Sequence, residues 1–197
     1  MDLKEKLPDS YSHIDETLDS AKLILSEAVS NTQTLFHTPV VSTMNENKIV
    51  SRVMVLREFN FDKKILRFHT DNRAAKIDNL TKNHSSTVIG YDADLKIQIK
   101  MQGHAKVHID DEVAKIAWND STPRSKKCYS VKGGSSKKIE NPGDYDITNF
   151  EVEDGYQNFA VIIFNFLSLE FLYLKSSGHR RALHDWYDDY SSTWLVP

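Results

Sequence analysis

Apolar residues in this chain follow two rhythms, one close to 3.6 residues near the start and one of two residues over most of the rest. Leu18, Ala21, Ile24, Leu25 and Ala28 recur at helical spacing, which predicts a helix over Asp15 to Ser30 with Asp15 as its N-cap. Thr34 to Met44 is rich in β-branched and aromatic residues and runs into Asn45-Glu46-Asn47, a turn sequence; Lys48 to Arg57 is its predicted hairpin partner. A turn at Asn60 to Lys63 precedes a third strand, Lys64 to Thr70, and a helical pattern over Asp71 to Lys82 follows. Ser86 to Tyr91 reads as the next strand. From Lys96 the alternation is strict: Lys96, Gln98, Lys100 and Gln102 take one face, and Ile97, Ile99 and Met101 take the other. Gly103 marks a bulge before the strand continues to His108. Asp110 to Trp118 predicts a short helix, and Ser121 to Tyr145 a polar loop with one short helical turn. Two apolar strands, Phe159 to Asn165 and Leu167 to Leu174, close the pattern.

Six or seven strands joined by short turns, with a helix after the third, predict a mainly β architecture: an antiparallel barrel with peripheral α-helices. The regular strand–helix alternation of a doubly wound sheet is missing. With 197 residues and 22.6 kDa, one domain spanning 1–197 is expected, large enough to bury a substantial core.

Charge narrows the partners. A net charge of −3 without a basic tail gives no field for nucleic acid. Ala160 to Leu174, the longest apolar stretch, is shorter than the roughly 20 residues a membrane helix needs and contains Asn165 and Glu170. The opening MDLKEKLPDS is charged where a signal peptide would be apolar, and the single cysteine, Cys128, rules out an intrachain disulfide. A cytoplasmic protein with no membrane partner is expected.

The candidate chemistry centres on Arg52 to Lys76. Ser51 to Arg57 (SRVMVLR) reads as one strand with an arginine near each end, and Lys64 to Thr70 delivers the chain into a helical pattern. Thr70, Arg73 and Lys76 would then crowd the first helical turn, where unpaired N–H groups favour an anion, with Arg52 approaching from the neighbouring strand. A phosphate is the natural guest. Other clusters carry less. His104 and His108 share a strand face but lack a third metal ligand, so no metal is expected. Lys132 to Lys138 (KGGSSKK) lacks the spacing of a nucleotide-binding P-loop. No Ser/His/Asp or Cys/His set has local support, and Trp118, Trp186 and Trp194 read as core or interface anchors.

Four blocks, SRVMVLR, FHTDNRAAK (Phe68 to Lys76), YDADLKIQIKMQGHAKV (Tyr91 to Val107) and LEFLYLKSSGHRRALHDW (Leu169 to Trp186), resemble the pyridoxamine 5′-phosphate oxidase-like flavoproteins in order and wording. The closing TWLVP is similar to that family's tryptophan-then-proline finish. The resemblance implies an FMN-binding split barrel that pairs as a homodimer, with FMN outside each barrel in the cleft between subunits. It implies that Arg52, Val53, Met54, Val55 and Leu56 line the flavin, with Arg52 directed at its phosphate. His69 and Thr70 match the strand-end pair at the cofactor, Arg73 and Lys76 the phosphate cations, and Gln98 the glutamine that contacts the flavin.

The match departs from a true pyridoxamine phosphate oxidase at the substrate. Where the family places a tyrosine, an arginine and a serine around the substrate's phosphate, this chain has Trp118, Thr122 and Lys126. Arg57 keeps the charge of the substrate lysine position. Arg181 and His184 match the substrate-contacting segment near the C-terminus, with Arg180 as a competitor because of one extra residue, and Leu172 stands where a flavin-contacting tryptophan is expected. The family implies no obligatory side-chain acid or base, so no catalytic residue is named. These residues imply an FMN flavoprotein, an oxidoreductase acting on a small molecule of unspecified identity. The alternatives are a non-catalytic flavin binder or carrier, and a split-barrel relative using haem or a deazaflavin.

Overall fold

A computed structural model of the protein describes residues 3–135, 137–146 and 152–197. Helix α1 spans Ile14–Ala28 and buries Leu18, Ala21, Ile24 and Leu25. It begins one residue before Asp15, because the Glu16 carboxylate accepts the N–H groups of both Ser12 and His13 at 3.0 Å and closes the first turn. Strands β1 (Val40–Asn45) and β2 (Lys48–Val53) form the expected hairpin; the residues before it form a 3₁₀ turn, Leu35–His37, rather than more strand.

Then come β3 (Leu56–Asn60), β4 (Ile65–Asp71), α2 (Lys76–Lys82), β5 (Ser85–Asp92) and β6 (Ile97–His108). Helices α3 (Glu112–Asn119) and α4 (Pro123–Lys127) follow, then β7 (Phe159–Tyr173), β8 (Arg180–Asp185) and β9 (Ser191–Leu195). The described part of the polar loop also carries a 3₁₀ turn, Pro142–Tyr145. The sheet runs β2-β1-β5-β6-β7-β4-β3, with β8 on β7 and β9 on β8, and every pairing is antiparallel.

Four details differ from the sequence pattern, each for a physical reason. The stretch Lys48 to Arg57 is two strands, not one: the Met54 N–H donates to the Pro39 carbonyl at 3.0 Å, and from Leu56 the chain pairs with β4 instead of β1. The helix predicted from Asp71 begins at Lys76, because the Asp71 carboxylate captures the backbone N–H of Arg73 at 2.8 Å and holds a turn there. Phe159 to Tyr173 is one continuous strand; β6 pairs along its length while β4 takes the first half and β8 the second. The sheet has nine strands because the charged segment Arg180–Asp185 pairs with the second half of β7 and the polar Ser191–Leu195 pairs with it in turn.

The bulge expected at Gly103 is present, as a register shift between Gln102 and Gly103 against β7. A Cβ at this position would lie 2.0 Å from the Asn165 carbonyl oxygen, so only glycine fits. Inside the barrel Leu56, Leu66, Phe68, Ile99, Phe164 and Phe166 pack under α1, each worth about 1.5–3 kcal/mol of burial. A smaller cluster lies outside it, where Ala114, Ala117 and Trp118 of α3 cover Phe159 and Val161 of β7.

Candidate functional site

Alternation along β4 divides its side chains between two chambers. Leu66, Phe68 and Thr70 point inward and are buried, whereas Arg67 and His69 face the other way. Thr70 lies at the inner end of the strand, where the Lys76 Nζ donates to its Oγ1 at 2.9 Å. Arg52 reaches the same corner from β2. Its Nη1 donates to the Thr43 Oγ1 at 2.9 Å and to the Val41 carbonyl at 3.2 Å.

Electrostatics mark this corner as short of negative charge. Burial first, and then the Arg52 guanidinium, lower the Lys76 pKa; Asp71 acts in the opposite sense. Burial also lowers that of Arg52. Neither cation forms an ion pair among the described residues, since Asp71 is engaged by Arg73 through Nε at 2.9 Å and Nη2 at 2.6 Å. Arg73 also donates to the Val131 carbonyl at 3.1 Å. Two half-buried cations without a counter-charge favour a bound anion. A cavity of about 430 Å³ adjoins Lys76, bounded also by Thr70, Tyr129, Lys132, Lys137 and Tyr145.

The remaining residues of the Arg52 to Leu56 segment divide by face. Met54 and Leu56 are buried in the core, while Val53 is 63% exposed on the outer face of the sheet. Gln98 occupies that outer face too, opposite Tyr91 on β5 and Leu172 on β7. Two rungs along, Lys100 and Arg181 converge on the carboxylate of Glu170: Lys100 Nζ donates at 2.7 Å, and Arg181 donates through Nε at 3.0 Å and Nη2 at 2.7 Å. Burial opposes ionisation of Glu170, but these hydrogen bonds outweigh it and hold the carboxyl below the usual range.

Arg181 and His184 do not share a surface. Three positions apart on a strand, they point to opposite faces. His184 is fully buried, with Nε2 2.9 Å from the Thr17 Oγ1 and Nδ1 3.0 Å from the Tyr190 hydroxyl. Its ring lies parallel to Tyr190, and burial lowers its pKa to about 4. Arg180, the competitor, donates to the Tyr11 carbonyl at 3.2 Å.

Arg57 lies in neither place. With Arg67, His69, Thr122 and Ser125 it lines a second cavity of about 200 Å³ beneath α3 and α4. Trp118 is buried beside it, edge-on to Tyr129 and Phe159, and the Lys126 Nζ sits 5.2 Å above the Trp118 ring. Arg67 was not singled out by the sequence. Its signal was the alternation of β4, which puts an arginine on the outward face beside His69, but the helices that cover it come from residues 117–125.

Residues 20–109 match the family model described as pyridoxamine 5′-phosphate oxidase, FMN-binding domain. The resemblance to that family is shown. Among solved structures, a pyridoxamine 5′-phosphate oxidase-related, FMN binding protein from Nostoc punctiforme PCC 73102 superposes with a TM-score of 0.76 at 19% identity, covering 91% of this chain and 96% of that one. PhzG from Burkholderia lata 383, solved in complex with tetrahydrophenazine-1-carboxylic acid, gives 0.72 at 16% identity over 97% and 99%. A general stress protein 26-related protein from Clostridium acetobutylicum gives 0.54 at 13% identity over 86% and 94%. At these identities the likeness is one of fold: an antiparallel split barrel with peripheral helices. No curated protein matches the chain.

Within the split barrel, the structure brings Arg52, Thr70 and Lys76 to one corner, and places Arg73 beside them in an ion pair with Asp71. Val53, Gln98 and Arg181 share the outer sheet face. Arg57 and His69 belong to the second cavity, and His184 to the interior.

Proposed function

We propose that the protein is an FMN-dependent oxidoreductase acting on a small anionic or polar molecule, with Arg52, Thr70 and Lys76 holding the FMN phosphate. The observation that carries this reading is the pair of half-buried cations, Arg52 and Lys76, without an anionic partner among the described residues. A phosphate dianion is the partner they fit, each charge-assisted hydrogen bond contributing about 1.5–3 kcal/mol. Bound FMN supplies the capacity to accept a hydride. The chain's own residues bind and orient: Arg73 supports the corner from its ion pair, Val53, Val55 and Gln98 offer the outer sheet face to the flavin ring, and Arg57 is the cation available to a substrate, Arg181 reaching one only by leaving Glu170.

The same outer face supports a homodimer with the cofactor between subunits, since Ile49 (74% exposed), Val53 and Tyr91 leave it unusually apolar. Among the described residues no helix is long and apolar enough to cross a membrane. A cytoplasmic location is the compartment that a single exposed cysteine, Cys128, fits best.

Purified protein is expected to be yellow and to release FMN on denaturation. Anaerobic mixing with candidate reductants, pyridoxamine phosphate and nicotinamide donors among them, should bleach the flavin with at least one. A specific observation favours a second reading, that of a non-catalytic flavin binder: Arg181 is tied to Glu170 and His184 is enclosed, so two expected substrate contacts are occupied within the chain. Bound FMN that no reductant in such a survey bleaches would decide for the binder.

A further inference from the structure

The cavity of about 430 Å³ beside Lys76 is lined by two stretches of chain alone, residues 70–76 and residues 128–145. Thr70 and Lys76 line one side of it, and Lys132 to Gly134 line the other. The space therefore exists only while the second stretch is held against the first. Apolar burial offers little to hold it. Tyr129 packs edge-on against Phe159 at 4.9 Å, but the SVKGG that follows has Val131 as its only apolar side chain.

Three specific contacts fix the segment, and two of them end on Arg73. At its start, the Asn158 Nδ2 donates to the Tyr129 carbonyl at 2.8 Å, while the Asn158 carbonyl accepts the Asn72 N–H at 2.8 Å. Next, the Arg73 Nη2 donates to the Val131 carbonyl at 3.1 Å. Last, Gly134 rests against the base of the same side chain. A Cβ there would lie 2.8 Å from the Arg73 Cβ and 3.0 Å from the Arg73 carbonyl oxygen, so a larger residue would push the two stretches apart. Asp71 holds Arg73 in place for both contacts, accepting from its backbone N–H, its Nε and its Nη2.

We infer that Tyr129 to Gly134 form a clasp over the cavity beside Lys76, and that Arg73 is the positioning residue that keeps the clasp closed. The inference rests on the flavoprotein reading above and adds a gate to it: an anion held by Lys76 within this cavity has the clasp as its far wall. Arg73 acts through Val131 and Gly134 and not by touching the phosphate, which departs from the role that the family resemblance implies for it. The tasks divide accordingly. Arg52 and Lys76 set how tightly the cofactor is held; Arg73 sets how fast it enters and leaves. A barrier common to entry and exit slows both rates and leaves their ratio, the affinity, nearly unchanged.

The test measures both rates on the full chain by flavin fluorescence: release on dilution of the FMN-loaded protein, and association on mixing stripped protein with FMN. Gly134→Ala forces the clasp outward and leaves every cation in place. It is expected to raise both rates by about threefold to tenfold, as the loss of one hydrogen bond would, with their ratio changed by less than about threefold. Arg73→Ala should give the same pattern, and Arg73→Lys, which keeps the charge without the two-way reach, should not restore wild-type rates. Far-UV circular dichroism confirms that each variant is folded. Wild-type rates in a folded Gly134→Ala, a faster release alone in Arg73→Ala, or full rescue by Arg73→Lys overturns the inference. If the purified protein neither holds nor takes up FMN, the flavoprotein reading fails, and tryptic cleavage after Lys132 decides the clasp by itself. Gly134→Ala should then be cut about threefold to tenfold faster than wild type, and equal rates overturn the clasp.

Discussion

Two cationic regions of this molecule look alike in sequence and differ in physics. At the β4–α2 corner, Arg52 and Lys76 are drawn together around Thr70 with no carboxylate between them. On β8, Arg181 and the nearby Lys100 converge on one buried carboxylate, Glu170. The first arrangement carries a standing electrostatic cost that a ligand can relieve; in the second each cation already has a carboxylate partner, and the contact holds strands together. Unpaired charge, rather than the count of arginines and lysines, separates a binding site from a brace.

Substitutions at the first region should have the largest effect. Arg52→Ala with Lys76→Ala is expected to lower FMN affinity by at least about a hundredfold, given roughly 1.5–3 kcal/mol for each lost contact. Flavin retained after gel filtration reports it, and unchanged far-UV circular dichroism shows that the fold survives. Retention at wild-type level would end the distinction between the two regions.

At the brace the expected loss is in stability. Glu170→Gln leaves Lys100 and Arg181 facing a neutral amide and should cost about 1.5–3 kcal/mol, read as a lower urea midpoint with FMN binding little changed. The same carboxylate has a lowered pKa in the folded chain, so its contribution is present above the ordinary carboxylate range and is lost as pH falls through the folded value.

His184 makes a further, pH-dependent contribution next to the brace. Its pKa of about 4 lies below the ordinary 6.5, so the unfolded chain binds a proton that the folded chain refuses. Stability is therefore full above pH 6.5 and falls as pH drops from there towards about 4. The expected loss is about 1–3 kcal/mol, and His184→Gln should flatten this part of the urea-midpoint profile. His69 acts with the same sign, so some slope will remain in that variant.

The smallest effect is expected at Arg73. Because its guanidinium is paired with Asp71, Arg73→Ala should reduce FMN affinity by less than about tenfold. A loss as large as that of the double variant would show that Arg73 leaves Asp71 to hold the phosphate.

Much of the fold was legible in periodicity. The alternation from Lys96 to His108, the bulge at Gly103 and the first hairpin all follow from local residue order. What local order could not reveal was a change of partner. Nothing between Ser51 and Arg57 breaks a strand; the break comes from Pro39 and from β4, which are remote in sequence. Likewise, Asn165 and Glu170 looked like interruptions of an apolar strand, yet one pairs opposite the bulged segment of β6 and the other is neutralised by Lys100 and Arg181. The phosphate corner was visible because three of its residues lie within 25 positions, whereas the Arg57–Arg67–His69 cavity is completed by helices some fifty residues later.

The partner switch at Met54 and Val55 has one more consequence. Arg52 and Arg57 are tethered by the shortest of rulers, yet each serves a different chamber, so the spacing between chambers is written into a handful of peptide units. Inserting or deleting a single residue there would rotate one arginine away from its chamber while leaving the other in place. This stretch should therefore tolerate changes of side chain at Val53 and Val55 far more readily than any change of length.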